Sequence, residues 1–303
     1  MRVSVPVNFQ NSTMQNACFA YLCADMGRRK KPLPLLRNLE VTDTGTGGKA
    51  IARHENRVVF ISHAVPGDVV DVQIRKKKKH YLEGDPVHFI SYSNRRTDPF
   101  CEHFGICGGC KWQDMAYPEQ LHFKQKQVED QLSRIAGLGD IVQEKIAPIL
   151  PSPENIHYRN KLEFTFSKKR WLTREEIDSG ESITEPALGF HVPGLFDKVV
   201  DIHTCYLQPE PSNAIRNFVR QYALEHQYPY FDIRNQEGLL RNLIIRTATT
   251  GDIMVVIAFF RNDKEKITAL MNAVKESFPE ITSLQYVINP KGNDTLEGLE
   301  DLV

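Results

Sequence analysis

Short apolar segments separated by polar turns dominate the chain between residues 35 and 93. The turns are rich in glycine, proline and aspartate, which favour tight changes of chain direction. No helical periodicity interrupts the segments, so the pattern is typical of closely spaced strands. The apolar segments are 39–41, 58–61, 69–74 and 87–90. Their number and spacing predict a small five-stranded barrel of the OB type.

The rest of the chain mixes helical and strand periodicities. Residues 117–135 repeat apolar side chains at three-, four- and seven-residue steps, which predicts a helix that ends near Gly137. Further helices are predicted over 213–226 and 264–278, and strands over 161–166, 188–191, 243–247, 253–259 and 283–288. The helices predicted over 213–226 and 264–278, together with these strands, indicate an α+β fold.

A multidomain α+β protein with four successive parts follows from these patterns. The parts are a disordered extension over 1–33 with Met26 as the natural start, the barrel over 34–95, a cysteine-containing loop and helix over 96–140, and a central α+β domain over 141–303. We expect this last part to be cut before a further domain. Residues 167–187 have the character of a surface loop inserted into the central domain.

The composition is that of an ordinary globular protein, since 41% of the 303 residues are hydrophobic and 25% are charged. Basic and acidic residues number 38 each, so a nucleic acid would have to bind a local basic patch. The sequence contains neither an apolar run long enough to cross a membrane nor a signal-peptide pattern. We therefore expect a monomeric cytoplasmic protein with reduced thiols and no membrane or DNA partner.

Three of the six cysteines fall close together, with Cys101, Cys107 and Cys110 in a C-x5-C-x2-C pattern. Soft thiolates on a flexible loop suit zinc or iron–sulfur centres, and the intervening glycines let the backbone fold tightly. A cubane cluster takes four protein ligands. Cys205 is the remaining cysteine outside the N-terminal segment, which contains Cys18 and Cys23. The sequence therefore predicts a metal centre with Cys205 as its fourth ligand.

Spacing alone leaves the metal open. Four-cysteine zinc sites usually pair two short knuckles, and here Cys107 and Cys110 form only one, so the pattern favours an iron–sulfur cluster over zinc. The pattern does not match the C-x3-C-x2-C spacing of radical enzymes that bind S-adenosylmethionine at a cluster. Core thiols without any metal are a further alternative.

A basic run follows the predicted strand 69–74 and precedes an aromatic residue that is able to stack on an unpaired base. Lysines at the edge of a barrel can neutralise phosphates, and basic side chains near two predicted strands of the central domain can do the same. A solvated charged surface is the alternative for each of them. The candidate RNA contacts are Lys76, Lys77, Lys78, Lys79, Tyr81, Arg159, Lys161 and Arg246.

Several blocks of the sequence resemble, in the same order, segments of the bacterial RNA uracil-5-methyltransferases. The blocks are the cysteine motif with Lys111-Trp112-Gln113 behind it, then residues 117–128, 157–166, 188–191, 201–205 and 238–246. Residues 35–93 resemble the family's N-terminal TRAM domain, an OB-like module that binds RNA. The resemblance covers the chain from Met26 to its end.

The resemblance implies a [4Fe–4S] cluster on Cys101, Cys107, Cys110 and Cys205. It also implies methyl transfer from S-adenosylmethionine to C5 of a uridine in ribosomal or transfer RNA. In that chemistry a thiolate adds to C6, the activated C5 attacks the methyl group, and a base removes the C5 proton. The target base has to be flipped out of its RNA to reach the pocket.

The family carries this chemistry on a Rossmann-like domain, whose S-adenosylmethionine loop, nucleophilic cysteine and base match nothing in this sequence. We therefore expect no catalytic residue here, S-adenosylmethionine as a cofactor only of a full-length enzyme, and no methylation by this chain alone. One alternative is a stand-alone RNA-binding module with a structural iron–sulfur or zinc site. Another is an electron-transfer or iron-sensing protein.

Overall fold

The computed structural model describes residues 33–180 and 183–299. The predicted extension, including Met26, lies outside the described residues apart from its last position. The described chain forms two compact units. Unit 1 consists of residues 33–100 with Lys111–Pro151, and unit 2 consists of Cys101–Cys110 with residues 152–299. The predicted part 96–140 therefore contributes residues to both units.

Unit 1 contains a closed barrel of five strands in the order β1-β2-β3-β5-β4. The strands are β1 Leu35–Thr44, β2 Ala50–His54, β3 Arg57–Ile61, β4 Val69–Lys77 and β5 Tyr81–Ser91. Strands β3 and β5 pair in parallel, and the other neighbours pair antiparallel. Alternate residues fill the interior, among them Val41, Val59 and Val72, each at most 1% exposed. The predicted five-stranded barrel is confirmed.

Two helices follow the barrel in unit 1. Helix α1 spans Tyr117–Arg134 and begins with proline at its first turn, where a missing backbone N–H costs nothing. Gly137 takes a φ of +70° just beyond its end, as the sequence predicted for a stop. Helix α2, Gly139–Lys145, was not predicted. On α1, Phe123 is buried in a small cluster with Val65 and Met115, which packs the helix within this unit.

Unit 2 is built on a sheet of six strands in the order β11-β10-β9-β6-β7-β8. The strands are β6 Lys161–Ser167, β7 Ala187–His191, β8 Val199–Asp201, β9 Leu240–Thr247, β10 Ile253–Phe259 and β11 Ser283–Ile288. The predicted β9–β10 hairpin is present, with Thr247 opposite Ile253, and β11 joins β10 in parallel. These features confirm the α+β character of the unit.

The main core of unit 2 lies between the sheet and two helices, α4 Ser212–Glu225 and α5 Lys264–Ser277. Phe164, Leu243 and Ile257 from the sheet meet Ile215 and Leu270 from the helices, and all five are fully buried. Burial of such side chains contributes roughly 1.5–3 kcal/mol each. This core matters for the site below because Cys205 is one of its buried members.

The predicted surface loop over 167–187 contains a short helix instead, α3 Arg174–Asp178. A capping box explains it, since Thr173 accepts from the Glu176 backbone N–H while the Glu176 carboxylate accepts from the Thr173 N–H. Arg170 then ties Glu176 to Glu185 through two ion pairs. The surface-loop prediction overlooked this short helix, whose signal in the sequence is the cap and not an apolar stripe.

In the stretches 33–180 and 183–299, no helix is both long and apolar enough to span a bilayer.

Candidate metal centre and basic surfaces

The loop Cys101–Cys110 is folded by its own backbone and by one strand of unit 2. The backbone N–H groups of Ile106 and Cys107 both donate to the His103 carbonyl, which curls the loop into a turn. The Gly108 N–H donates to the carbonyl of His191, at the end of β7, over 3.2 Å. A Cβ on Gly108 would stand 2.8 Å from that carbonyl oxygen, so glycine permits this close approach.

Cys205 is held by a side chain from α4. The Cys205 backbone N–H donates to Asn213 Oδ1 over 2.8 Å, and Asn213 Nδ2 donates to the Cys205 carbonyl over 3.1 Å. Asn213 is itself 8% exposed, so this two-way clamp is shielded from water. A clamp on both sides of one residue fixes the direction in which the Cys205 side chain leaves the backbone.

The cysteine loop and the segment before Cys205 also meet through two histidines. The His203 backbone N–H donates to His103 Nε2 over 3.3 Å, and the two rings lie 6.3 Å apart. Cys107 and Cys110 pack against the same core that buries Cys205. All four sequence-predicted ligands therefore lie in unit 2, and three of them contact its main core.

The thiols of this cluster are shifted away from ionisation. Burial raises the pKa of Cys101 and Cys205, and it raises the pKa of Cys107 to about 12. The charge of Cys110 acts in the same direction on the pKa of each of these three thiols, so Cys110 lies within electrostatic range of them all. Without a metal to displace the protons, these three groups are neutral thiols at pH 7.

Across residues 33–180 and 183–299, no three histidine, cysteine, aspartate or glutamate side chains converge closely enough to hold one metal ion. A zinc ion with Zn–S bonds of about 2.3 Å would need such convergence. This finding is compatible with the electrostatic coupling of the cysteines, because charges interact over several ångströms, whereas the ligands of one ion nearly touch.

A fully buried arginine on α4, Arg216, stands beside the cysteine cluster. Its Nη1 donates to Asn213 Oδ1 over 2.9 Å, and its Nη2 donates to the carbonyl of His203 and to Asn217 Oδ1. Its Nε is buried without a partner among the described residues. Burial lowers the pKa of Arg216 to about 10, and the side chain is still a cation at pH 7.

The predicted basic contacts of unit 1 divide into two kinds. Lys76 is held within the barrel surface, because its Nζ lies 2.8 Å from Glu83 and 5.9 Å from the centre of the Tyr81 ring. Tyr81 is half-buried and packs edge-on against Phe60, with 5.6 Å between ring centres. Lys77, Lys78 and Lys79 are exposed at and beyond the end of β4.

The predicted basic contacts of unit 2 gather at one end of the sheet. Lys161 and Arg246 are directly opposed on β6 and β9, so their side chains leave the same face of the sheet. Lys161 is paired with Glu163 over 3.1 Å. Arg159 is exposed two positions before β6, and its backbone N–H donates to the Leu207 carbonyl. Arg159 and Arg246 thus offer exposed guanidinium groups in this part of the unit.

Asn213 and Arg216 were not predicted as site residues, although the sequence carries a signal for Arg216. Its spacing to Val219 and Ala223 is three and seven residues, which places a charged residue on a buried stripe of the predicted helix. A charged side chain at a buried position is rarely found without a partner. The clamp by Asn213 has no comparable signature, since asparagine near a helix start more often caps the helix.

The barrel identifies the class of domain in unit 1. Residues 37–87 match the family model described as the TRAM domain. The match covers the greater part of the barrel, and it confirms the TRAM-like module predicted from the sequence.

The chain as a whole is similar to RNA methyltransferases. It is 51% identical over 257 residues to an uncharacterized RNA methyltransferase of Bacteroides thetaiotaomicron, with 84% of this chain and 56% of that protein covered. It is 49% identical over 271 residues to an uncharacterized RNA methyltransferase of Porphyromonas gingivalis, with 88% and 58% covered. The chain thus spans little more than half the length of these relatives.

A solved structure shares the fold. The tRNA (uracil-54, C5)-methyltransferase of Pyrococcus abyssi, crystallised with S-adenosyl-L-homocysteine, superimposes with a TM-score of 0.58 at 20% identity. The match covers 88% of this chain and 55% of that one. At this identity the likeness concerns the fold.

Because the alignments with the relatives extend over most of this chain, they lend no support to the expectation that it is inactive alone.

Proposed function

We propose that this chain is the RNA-binding, iron–sulfur-containing part of an S-adenosylmethionine-dependent RNA methyltransferase that acts on C5 of uridine. The observation that carries the proposal is a TRAM barrel and a four-cysteine cluster on one chain that is about half identical to RNA methyltransferases. Ribosomal or transfer RNA is the proposed substrate, and the Pyrococcus enzyme of the same fold acts on a transfer RNA uracil. A cytoplasmic location would keep the thiols reduced.

The donor set favours a polynuclear cluster over one ion. Each thiolate of a cubane binds a different iron, so its four sulfurs stand farther apart than the ligands of one zinc ion. The four cysteines are electrostatically coupled, and their sulfurs are the soft donors that such a cluster takes. A buried guanidinium beside them, that of Arg216, has one N–H without a partner and suits a group that carries negative charge. Cys101, Cys107, Cys110 and Cys205 would hold the cluster, which would supply structural rigidity to the edge of unit 2.

The residues of this chain would bind and present the RNA. Lys77, Lys78 and Lys79 would neutralise phosphates along the barrel, while Arg159 and Arg246 would do so on unit 2. Lys76 and Lys161, which are held by Glu83 and Glu163, would position neighbouring groups and contribute less to binding. Tyr81 would offer part of its ring to an unpaired base. Every cysteine of the described chain belongs to the cluster, so none of these is proposed to attack uracil C6.

Metal analysis of the anaerobically purified chain tests the cluster directly. We expect about four irons and four acid-labile sulfides per chain, with the broad visible absorption of an iron–sulfur centre. One zinc per chain without sulfide would favour the alternative of an RNA-binding module with a structural zinc site. Neither metal after anaerobic reconstitution would overturn the metal centre altogether.

RNA binding is tested through its dependence on salt. Each phosphate contact to a single strand contributes about 0.7 to the slope of log affinity against log salt. The combined change Lys77→Gln, Lys78→Gln and Lys79→Gln should therefore reduce the slope by about 2. The matched control replaces three exposed lysines of unit 2, Lys169, Lys264 and Lys275, and should leave the slope unchanged. An equal fall in both variants would show that binding follows net charge and that the barrel edge has no special part.

The methyl-transfer step is tested by mass spectrometry of RNA incubated with the chain and S-adenosylmethionine. The sequence-based expectation is that no 5-methyluridine forms with this chain alone. Formation of 5-methyluridine would establish the proposed chemistry and overturn the expectation of inactivity. Formation of a methylated base other than uridine would overturn the proposed target.

A further inference from the structure

Arg216 is a buried cation without a buried anion. Its side chain is 0% exposed, and no carboxylate forms an ion pair with it anywhere in the described chain. Its hydrogen-bond acceptors are neutral: the Asn213 and Asn217 side chains and the His203 carbonyl. A charge removed from water is tolerated when it is paired, and neutral acceptors compensate it only in part.

The contrast with Arg220, one turn along the same helix, shows what ordinary pairing looks like in this unit. Arg220 grips both carboxylate oxygens of Asp201, with Nη2–Oδ2 at 2.6 Å and Nε–Oδ1 at 3.0 Å. The Asp201 carboxylate and Glu210 act on Arg216 only at a distance, since neither forms an ion pair with it. The polypeptide thus gives Arg220 a carboxylate partner, whereas Arg216 has hydrogen-bond acceptors and the Phe164 ring, 5.1 Å away, but no ion pair among the described residues.

One oxygen atom connects Arg216 to the cysteine cluster. Asn213 Oδ1 accepts both the Arg216 Nη1–H and the backbone N–H of Cys205. The carbonyl that Arg216 Nη2 binds belongs to His203, two residues before Cys205 and hydrogen-bonded through its N–H to His103 of the cysteine loop. The guanidinium is therefore built into the scaffold that carries two of the cysteine-bearing segments.

We propose that Arg216 is the built-in counter-cation of the metal–sulfur group bound by Cys101, Cys107, Cys110 and Cys205. This inference rests on the iron–sulfur centre of the proposed function. Four thiolates around a core of charge +2 leave a net charge of −2, and a buried cation offsets part of it. The Nε–H, which has no partner among the described residues, would be available to donate to a sulfur of that group, and hydrogen bonds to the sulfurs and nearby charges set the potential of such centres.

The main competing explanation is that Arg216 is only a structural staple for the His203 carbonyl and Asn213. A staple acts through hydrogen-bond geometry, so a lysine would replace it poorly and the cluster potential would be indifferent to its charge. A counter-cation acts through charge, so lysine would replace it well. The two roles therefore differ in a measurement that stability alone would not separate.

The test compares the reconstituted wild-type chain with Arg216→Met, Arg216→Lys and Arg261→Met, the last being an exposed arginine of the same unit. Reduction adds negative charge to the cluster, and a nearby cation favours the reduced form. Arg216→Met should therefore shift the reduction equilibrium at least tenfold toward the oxidised form, a fall of about 59 mV for one electron. Arg216→Lys and Arg261→Met should keep the wild-type potential, and iron release to a chelator should be about tenfold faster only in Arg216→Met.

Each outcome decides between the roles. A wild-type potential and iron-release rate in Arg216→Met would overturn the inference. If Arg216→Met retains no cluster, retention in Arg216→Lys supports the counter-cation, and loss in both variants overturns it in favour of the staple. A wild-type chain that binds no iron and sulfide would instead overturn the proposed cluster, which separates that failure from a failure of the present inference.

Discussion

Arg96 of unit 1 and Arg216 of unit 2 are both largely shielded from water, and their charges are balanced in opposite ways. In unit 1, Arg96 lies between two buried carboxylates, with Nη2 at 2.7 Å from Asp68 and Nη1 at 3.1 Å from Asp114. Although burial opposes the charge, hydrogen bonds and charges from these carboxylates raise the pKa of Arg96. In unit 2, burial outweighs every neighbour and lowers the pKa of Arg216 to about 10.

The difference shows which of the two arginines finds its charge partners within its own unit. Asp68 accepts the backbone N–H groups of Val65 and Ser93 as well as Arg96, so the charges and donors around it are satisfied by unit 1 itself. In unit 2, no described carboxylate forms an ion pair with Arg216, which lies next to thiols that burial keeps protonated. The proposed metal–sulfur group would supply an anion beside Arg216, whereas Arg96 already has two carboxylate partners in unit 1.

The largest expected effect breaks the site of unit 2 while leaving unit 1 intact. Cys205→Ser should abolish retention of iron and sulfide, because a hard hydroxyl replaces a soft thiolate ligand that is buried and clamped in place. Iron content by colorimetric assay measures it. Cys18→Ser and Cys23→Ser are the matched controls and should keep the wild-type iron content. Equal iron in Cys205→Ser and the wild type would remove Cys205 from the centre and with it the contrast between the units.

The next effect tests whether the balance of unit 1 is internal. Asp68→Ala leaves Arg96 buried with only Asp114, and breaking a buried pair costs about 3–5 kcal/mol. We expect the free energy of unfolding of unit 1 to fall by this amount in urea denaturation, with iron content unchanged. Asp85→Ala is the control, since the exposed Arg75–Asp85 pair contributes about 0–1 kcal/mol. Loss of iron in Asp68→Ala would show that the units are not independent.

Much of the fold could be read from apolar spacing, because most strands and the three long helices bury one face. Strand β2 was missed since Ala50 and Ala52 fill the barrel with small side chains that give a weak apolar signal. Strand β8 has three residues, too few for any period to emerge.

The candidate site was predictable only in its ligands. Cysteine spacing indicates a metal centre whatever the fold, because the ligands themselves are the signal. The clamp by Asn213 depends on a contact across eight residues between a helix and a loop, which no local pattern announces. That no described carboxylate forms an ion pair with Arg216 is a property of the folded chain, which the sequence around Arg216 does not reveal. Likewise, the pairing of Lys76 with Glu83 arises because β4 and β5 become neighbours in the barrel.

A smaller effect sharpens the comparison by loosening the scaffold of the unit 2 site without removing a ligand. Asn213→Ala removes the partners of the Cys205 N–H and carbonyl, and unsatisfied buried groups cost about 1–3 kcal/mol. Iron release to a chelator should accelerate roughly tenfold, because 1.4 kcal/mol corresponds to a factor of ten. Asn272→Ala on the exposed side of α5 is the matched control and should release iron at the wild-type rate. Identical release rates in both variants would mean that the Cys205 backbone needs no clamp.

The smallest expected effect asks whether burial is what separates a strong charge pair from a weak one. In unit 2, a hydrogen bond from Arg170 lowers the pKa of Glu176 to about 2, with 30% of the Glu176 side chain exposed. Because this folded-state pKa lies below the reference value of 4.5, the pair stabilises α3 above pH 4.5, and the contribution disappears as pH falls through about 2. Solvent screening limits the contribution to about 0–1 kcal/mol.

Glu176→Gln should therefore lower the free energy of unfolding of unit 2 by at most about 1 kcal/mol at pH 7, with the difference from wild type shrinking between pH 4.5 and pH 2. Denaturation at several pH values measures it, and Glu175→Gln, an exposed neighbour in the same helical turn, controls for the loss of a charge. If Glu176→Gln cost as much as Asp68→Ala, exposure would not explain the weakness of the pair. The contrast between Arg96, which has carboxylate partners, and Arg216, which has none, would then have to be explained by the identity of the partners and not by burial.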